Sequence, residues 1–189
     1  AIMIQKHWRR VMAKKRVAMK RRLDQAAQDA MTAVNARNLF PMDVKEIAKR
    51  IQYAINEPQT TAYPPDEVLH LLRLVCLLIL GDSSVGLTTL NHIGVRYFEE
   101  VEGASMTWEQ TMKIVNRSNR FLRRVRSMAY APVAKPPRLV SIPHAVQTLY
   151  RAQLKNPRWQ LETFETIGKG SKFCTQMFKW LTCMIDVGN

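Results

Sequence analysis

A chain of 189 residues with 47% apolar residues can bury a core and is too apolar to be a disordered tail. Seven Gly and nine Pro exclude collagen-like or linker-like material, and three scattered Cys argue against a disulfide framework and for a reducing compartment. With 29 Lys and Arg against 15 Asp and Glu, the net charge of +14 asks for an acidic partner or neighbour.

Neither Gly nor Pro occurs before Pro41, and Ala, Met, Lys, Arg and Gln dominate there, which predicts one long helix over residues 2–37. Ile4, Trp8, Val11 and Met12 recur along it at helical spacing. Asp43 is placed to cap a second helix reaching Asn56, with Val44, Ile47, Ala48, Ile51 and Ile55 on one face. Pro58 to Pro65 reads as a polar turn opening a third helix, Asp66 to Leu80, which is apolar almost all round and stops at Gly81. A short helix is predicted from Leu90 to Phe98, and a longer one, capped by Thr107, from Trp108 to Arg126. Pro132 to Pro143 is an extended connection, and helices follow over His144–Leu154, Thr163–Ile167 and Ser171–Val187.

No period-two pattern survives anywhere, so the chain reads as all-α: a long N-terminal helix over 1–37, a helix and linker over 38–63, and an irregular helical domain over 64–189. No secretory signal opens it. The most apolar run, Val68 to Leu80, contains His70 and Arg73 and is too short to span a bilayer, so no membrane association is expected. The Ala start and the uncapped end read as those of a piece of a longer chain.

The charge is concentrated. Residues 1–23 hold nine basic residues and no acid, and residues 110–161 hold eleven and no acid. The rest is a mildly acidic body of net −6. In the second zone Arg117, Arg120 and Arg124 fall at i, i+3 and i+7, one helical stripe, with Arg123 beside them, while Met112, Val115, Leu122 and Val125 lie elsewhere and can be buried. These four arginines are expected to meet an acidic partner; the bland alternative is a solvated basic face. No zinc-finger spacing, RNP aromatic box or heptad run accompanies either zone.

In the first zone, Ile4-Gln5, Arg9, Lys14 and Val17 stand where an IQ motif has its aliphatic residue, Gln, two basic residues and final apolar residue; Arg10 replaces its Gly. The segment resembles the IQ family. That resemblance implies binding of calmodulin or a calmodulin-like light chain, often without calcium. Ile4, Trp8 and Val11 would enter the partner's groove, and Arg9, Arg10 and Lys14 would face its acidic surface. The alternatives are a basic amphipathic helix lying on any acidic surface, or one docked on the chain's own acidic body.

The body resembles the helical region of dynein heavy chains that leads into the stalk. The shared order is Pro64-Pro65 followed by an apolar helix closing in Leu80-Gly81, Trp108 and Lys113 before Phe121-Leu122, and the irregular Pro132 to Pro143 stretch before Leu149-Tyr150. It continues with Asn156-Pro157-Arg158-Trp159, then Ser171-Lys172-Phe173-Cys174 and Trp180. The similarity covers roughly residues 60–187. Arg123-Arg124-Val125-Arg126 departs from the acidic segment usual there, and neither heptads nor an ATPase module is present in these residues. A related helical fold is implied, not a motor.

Little else suggests chemistry. His7, His70, His92 and His144 have no ligand-spaced partners, so no metal is expected; His70 reads as a core residue and His144 as a helix start. Cys76, Cys174 and Cys183 read as small buried hydrophobes, and Trp159, Phe164, Phe173, Phe178 and Trp180 as core. Glu99, Glu100 and Glu102 read as a solvated acidic loop, and Gly168-Lys169-Gly170-Ser171 lacks phosphate-loop spacing. No nucleophile–base constellation or cofactor motif is legible, so no enzymatic activity is expected.

Taken together, the resemblances imply a structural protein of the cytoplasm and cytoskeleton, in the ciliary or flagellar axoneme. It would belong to a large complex and bind calmodulin or a calmodulin-like protein along with microtubule-associated proteins. A basic helical nucleic-acid-binding protein, for instance a viral one, is the first alternative, disfavoured by the missing aromatic platforms. A non-catalytic segment of a dynein-type motor chain is the second.

Overall fold

The computed structural model describes residues 2–35, 44–46, 48–49, 66–95, 106–135, 138–167 and 172–188. Among them there is no strand, so the fold is all-α. The helices are α1 (Ile2–Asn35), α2 (Asp66–Gly81), α3 (Ser84–His92), α4 (Trp108–Val115), α5 (Ser118–Tyr130), α6 (His144–Gln153), α7 (Leu161–Ile167) and α8 (Lys172–Gly188), with a 3-10 turn over Ala131–Val133.

Helix α2 is the axis of the core. Asp66 and Glu67 occupy its first turn, where carboxylates complement the helix dipole. From Val68 to Leu80 every residue except His70 and Arg73 is buried, as a helix that is apolar all round requires. Helices α3, α4, α5, α6 and α8 all pack against it. Helix α8 adds Phe173, Met177, Trp180, Leu181 and Met184, all buried, and lies along α1 and α7. Trp159, Phe164 and Phe178 close one end: Trp159 meets Phe164 edge-on at 5.3 Å, and Phe164 stacks on Phe178 at 4.7 Å.

The long N-terminal helix forms as expected, and its two halves differ. Ala27, Ala30 and Ala33 are buried, with Met31 against the same core. Three small residues at i, i+3 and i+6 let α1 approach closely without large side chains intervening. Residues 5–10 and 13–22 are exposed. The basic half is therefore not laid on any described part of the chain's own body, contrary to one sequence alternative.

Several expectations shift. A helix starts at Ser84 rather than at the expected Leu90 and runs to His92, because Ser83 is its N-cap: the Gly86 N–H donates to Ser83 Oγ at 3.1 Å; residues 96–98 of the expected helix lie outside the described residues. It ends where Gly94 takes φ +81°, a left-handed conformation that suits Gly. The single helix expected over Trp108–Arg126 is two. Thr107 caps α4 in a capping box with Gln110, but the chain breaks at Asn116–Arg117, where Arg117 has φ −84° and ψ 56°. Residues 44–46 and 48–49 are helical, with Val44 and Ala48 buried as expected for their helix; its other residues, the acidic Glu99, Glu100 and Glu102, and Gly168 to Ser171 lie outside the described residues.

Candidate functional site

Two surfaces collect the cations, and each is positioned by an apolar anchor elsewhere. The first is the free half of α1. Trp8 is 64% exposed and Val17 and Met19 are 53% exposed, large apolar side chains normally found inside. Gln5, Arg9, Arg10 and Lys14 are exposed around them, and Val11 is half-buried. The Ile4 side chain lies outside the described residues. The pairs Lys6–Arg10, Arg10–Lys14 and Arg16–Lys20 sit one helical turn apart, and the first acid is Asp24. Like charges at that spacing each cost a helix about 0.2–0.5 kcal/mol, which an acidic partner would reverse. Gln5, Arg9, Arg10, Lys14 and Val17 therefore stand on one accessible helix, held at its far end by Ala27, Ala30 and Ala33.

The second surface lies where α3 meets α4 and α5. Lys113, Arg117, Arg120 and Arg124 line one cleft of about 300 Å³, with His92 on the α3 side. Arg117 sits at the helix break as the N-cap of α5, which carries Arg120 and Arg124, while Lys113 comes from α4, and all four face one hollow. The walls and floor are apolar: Leu80 and Phe121 are buried, Ile93 and Ile114 half-buried. Arg123 is exposed but does not line the cleft, which separates it from the three arginines expected beside it. Burial pushes the Arg124 pKa down, and the neighbouring charges of Arg120 and Arg123 push it further.

Asp82 lines a second hollow together with Arg124 and Arg138. Its carboxylate accepts the Ser141 N–H at 3.0 Å, pinning the Pro-rich connection to the end of α2. Burial raises its pKa, against the effects of that hydrogen bond and of Arg138.

The remaining sequence candidates are structural in the described residues. Met112, Val115, Leu122 and Val125 are buried, as the alternation around the arginines requires. Cys76 and Cys174 are buried and Cys183 half-buried, and burial pushes the Cys76 and Cys183 thiols up, away from the nucleophilic thiolate. His70 is half-buried on α2, and His144 opens α6. Among the described residues no group of His, Cys, Asp and Glu could hold a metal, and no helix is long and apolar enough to cross a membrane.

Sequence reasoning did not connect His92 to the arginine stripe. The Lys113–Arg117 spacing announces one face, but no sequence signal places Leu80 and His92, from α2 and α3, opposite it. Comparison with known protein families, curated proteins and solved structures finds no match to this chain.

Proposed function

We propose that this chain is a non-enzymatic scaffold whose N-terminal helix binds calmodulin or a calmodulin-like light chain. One observation carries the reading: the Gln5, Trp8, Arg9, Arg10, Lys14 and Val17 positions lie exposed on a continuous helix whose buried residues, among those described, are at its other end. That is what a helix-in-groove partner needs, an apolar stripe within a cationic helix and free access to it. The nine unopposed cations complement an acidic lobe. The helical body would then dock the assembly in an axonemal or other microtubule-associated complex, a placement that comes from the order of dynein-like motifs in residues 60–187.

Isothermal titration of the purified chain with calmodulin, once in calcium and once in chelator, tests this. A stoichiometric complex that Ile4→Ala with Gln5→Ala and Trp8→Ala weaken is expected. Binding of an RNA oligomer instead, with a steep salt dependence and indifference to Gln5→Ala, would favour the nucleic-acid alternative.

A further inference from the structure

The cleft between α3 and the α4–α5 pair combines two chemistries at different depths. Leu80 and Phe121 are buried at its floor, and Ile93 and Ile114 are half-buried in its walls. Lys113, Arg117 and Arg120 are exposed at the rim, and half-buried Arg124 carries one charge inward. No residue lining the cleft is acidic. Its volume, about 300 Å³, lies at the small end of ligand sites, room for one apolar group rather than an extended ligand.

That order of depth selects the occupant. An apolar group belongs inside and negative charge around the neck. A lone carboxylate would leave most of four permanent cations unmatched. A single-stranded nucleic acid stacks successive bases on exposed aromatics; here Phe121 is buried and the lining offers one other ring, the His92 imidazole. A bilayer surface is flat where this site is concave.

We propose that the cleft docks an acidic peptide segment of a partner protein. One large apolar side chain enters between Ile93, Ile114 and Phe121, and flanking carboxylates pair with Lys113, Arg117, Arg120 and Arg124. Charge-assisted pairs of arginine with carboxylate are among the stronger hydrogen bonds, and arginine's planar fork suits them. The inference rests on the scaffold reading in giving its docking body a site. It uses no residue of α1, so loss of light-chain binding and loss of this binding are read separately.

The test is fluorescence anisotropy of the full chain with a labelled synthetic peptide, one phenylalanine between two pairs of glutamates. The Arg120→Gln, Arg124→Gln double variant is expected to bind about tenfold more weakly or worse. Replacing the peptide's phenylalanine by alanine, or its glutamates by glutamine, is expected to do the same. Arg123→Gln, next to the cleft but outside it, and Lys20→Gln with Arg21→Gln on α1 are expected to keep full affinity. Circular dichroism of each variant confirms the fold.

Equal losses in the Arg123 or α1 variants would show diffuse cationic attraction and overturn the proposal. So would indifference to the phenylalanine, or tighter binding of polyuridylate or phosphatidylserine vesicles through the same arginines. Peptide binding that appears only after Glu99→Gln, Glu100→Gln and Glu102→Gln would make the chain's own acidic segment the occupant and overturn the partner assignment.

Discussion

The Arg73 guanidinium lies 3.4 Å from the centroid of the Trp108 ring. The contact ties α2 to the first residue of α4, the helix that carries Lys113 to the basic cleft. It also answers a problem of burial: the Arg73 Nε is buried without a hydrogen-bond partner, and burial lowers the Arg73 pKa. The electron-rich face of the indole compensates that charge together with the nearby Asp66 carboxylate. Trp108→Leu keeps apolar bulk and removes the quadrupole. It is expected to cost about 1–2 kcal/mol in urea unfolding. In a double-mutant cycle with Arg73→Met, the coupling should account for most of that loss.

Glu67 is buried in the first turn of α2, and exposed Arg158 reaches its Oε1 from Nε at 3.0 Å. The second carboxylate oxygen is buried without a hydrogen-bond partner. Removing Arg158 leaves a buried carboxylate uncompensated, whereas removing both charges does not. Arg158→Ala is expected to destabilise by about 1–3 kcal/mol. Arg158→Ala with Glu67→Gln should recover most of it, read from urea midpoints.

Gly86 allows α3 to fold back on the end of α2. A Cβ there would run into the Leu80 backbone carbonyl, a group that cannot turn away as a side chain can. Gly86→Ala must push α3 outward, with a cost of about 1–3 kcal/mol and a lowered Tm by calorimetry. Because Leu80, Thr89, His92 and Ile93 line the cleft, the same substitution should also weaken the acidic peptide.

His70 makes the stability fall as the pH is lowered. Burial lowers its pKa, with Arg73 adding to the effect and Asp66 and Glu67 opposing it. Its folded pKa therefore lies below the unfolded value of about 6.5. The neutral form is the one the fold accommodates, so this contribution is fully present above about pH 6.5. It is lost as pH falls toward the folded pKa, because the unfolded chain binds the proton first. Urea midpoints measured from pH 7.5 down to pH 5 should fall, and His70→Gln should flatten that part of the profile. Asp82, whose pKa is raised mainly by burial, acts with the opposite sign: its contribution is present at acid pH and lost as pH rises through its folded pKa.

The anchoring of α1 predicts a separable defect. Ala30 is fully buried where α1 meets the core, and α1 packs on α8 and α5. Ala30→Leu overfills that contact and is expected to cost about 1–3 kcal/mol. Light-chain affinity should stay unchanged, since Gln5, Trp8 and Val17 take no part in that packing. Trp8→Ala should do the reverse, sparing the thermal midpoint and weakening the complex.

Much of this molecule is written locally. The apolar circumference of α2, the Thr107–Gln110 capping box, the start of α6 at His144 and the burial of Met112, Val115, Leu122 and Val125 follow from spacing and capping chemistry within a few residues. The two misplaced boundaries, at Ser84–His92 and at the Asn116–Arg117 break, are where a cap or a bend depends on what the turn must reach. Ser83 starts α3 two residues beyond Gly81 because Gly86 can lie against Leu80, a contact with no signature in composition.

The all-α class, the apolar central helix and the two acid-free basic zones follow from the amino-acid order alone, because helix propensity, periodicity and charge are properties of neighbouring residues. Which half of α1 is left open and which arginines share a hollow emerge from the packing of the folded chain. Ala27, Ala30 and Ala33 differ from the exposed Ala13 and Ala18 only in having α8 and α5 to pack on. Arg120 and Arg124 differ from Arg123 only in facing α3. Burial and convergence depend on contacts between distant parts of the chain, and no local pattern contains them.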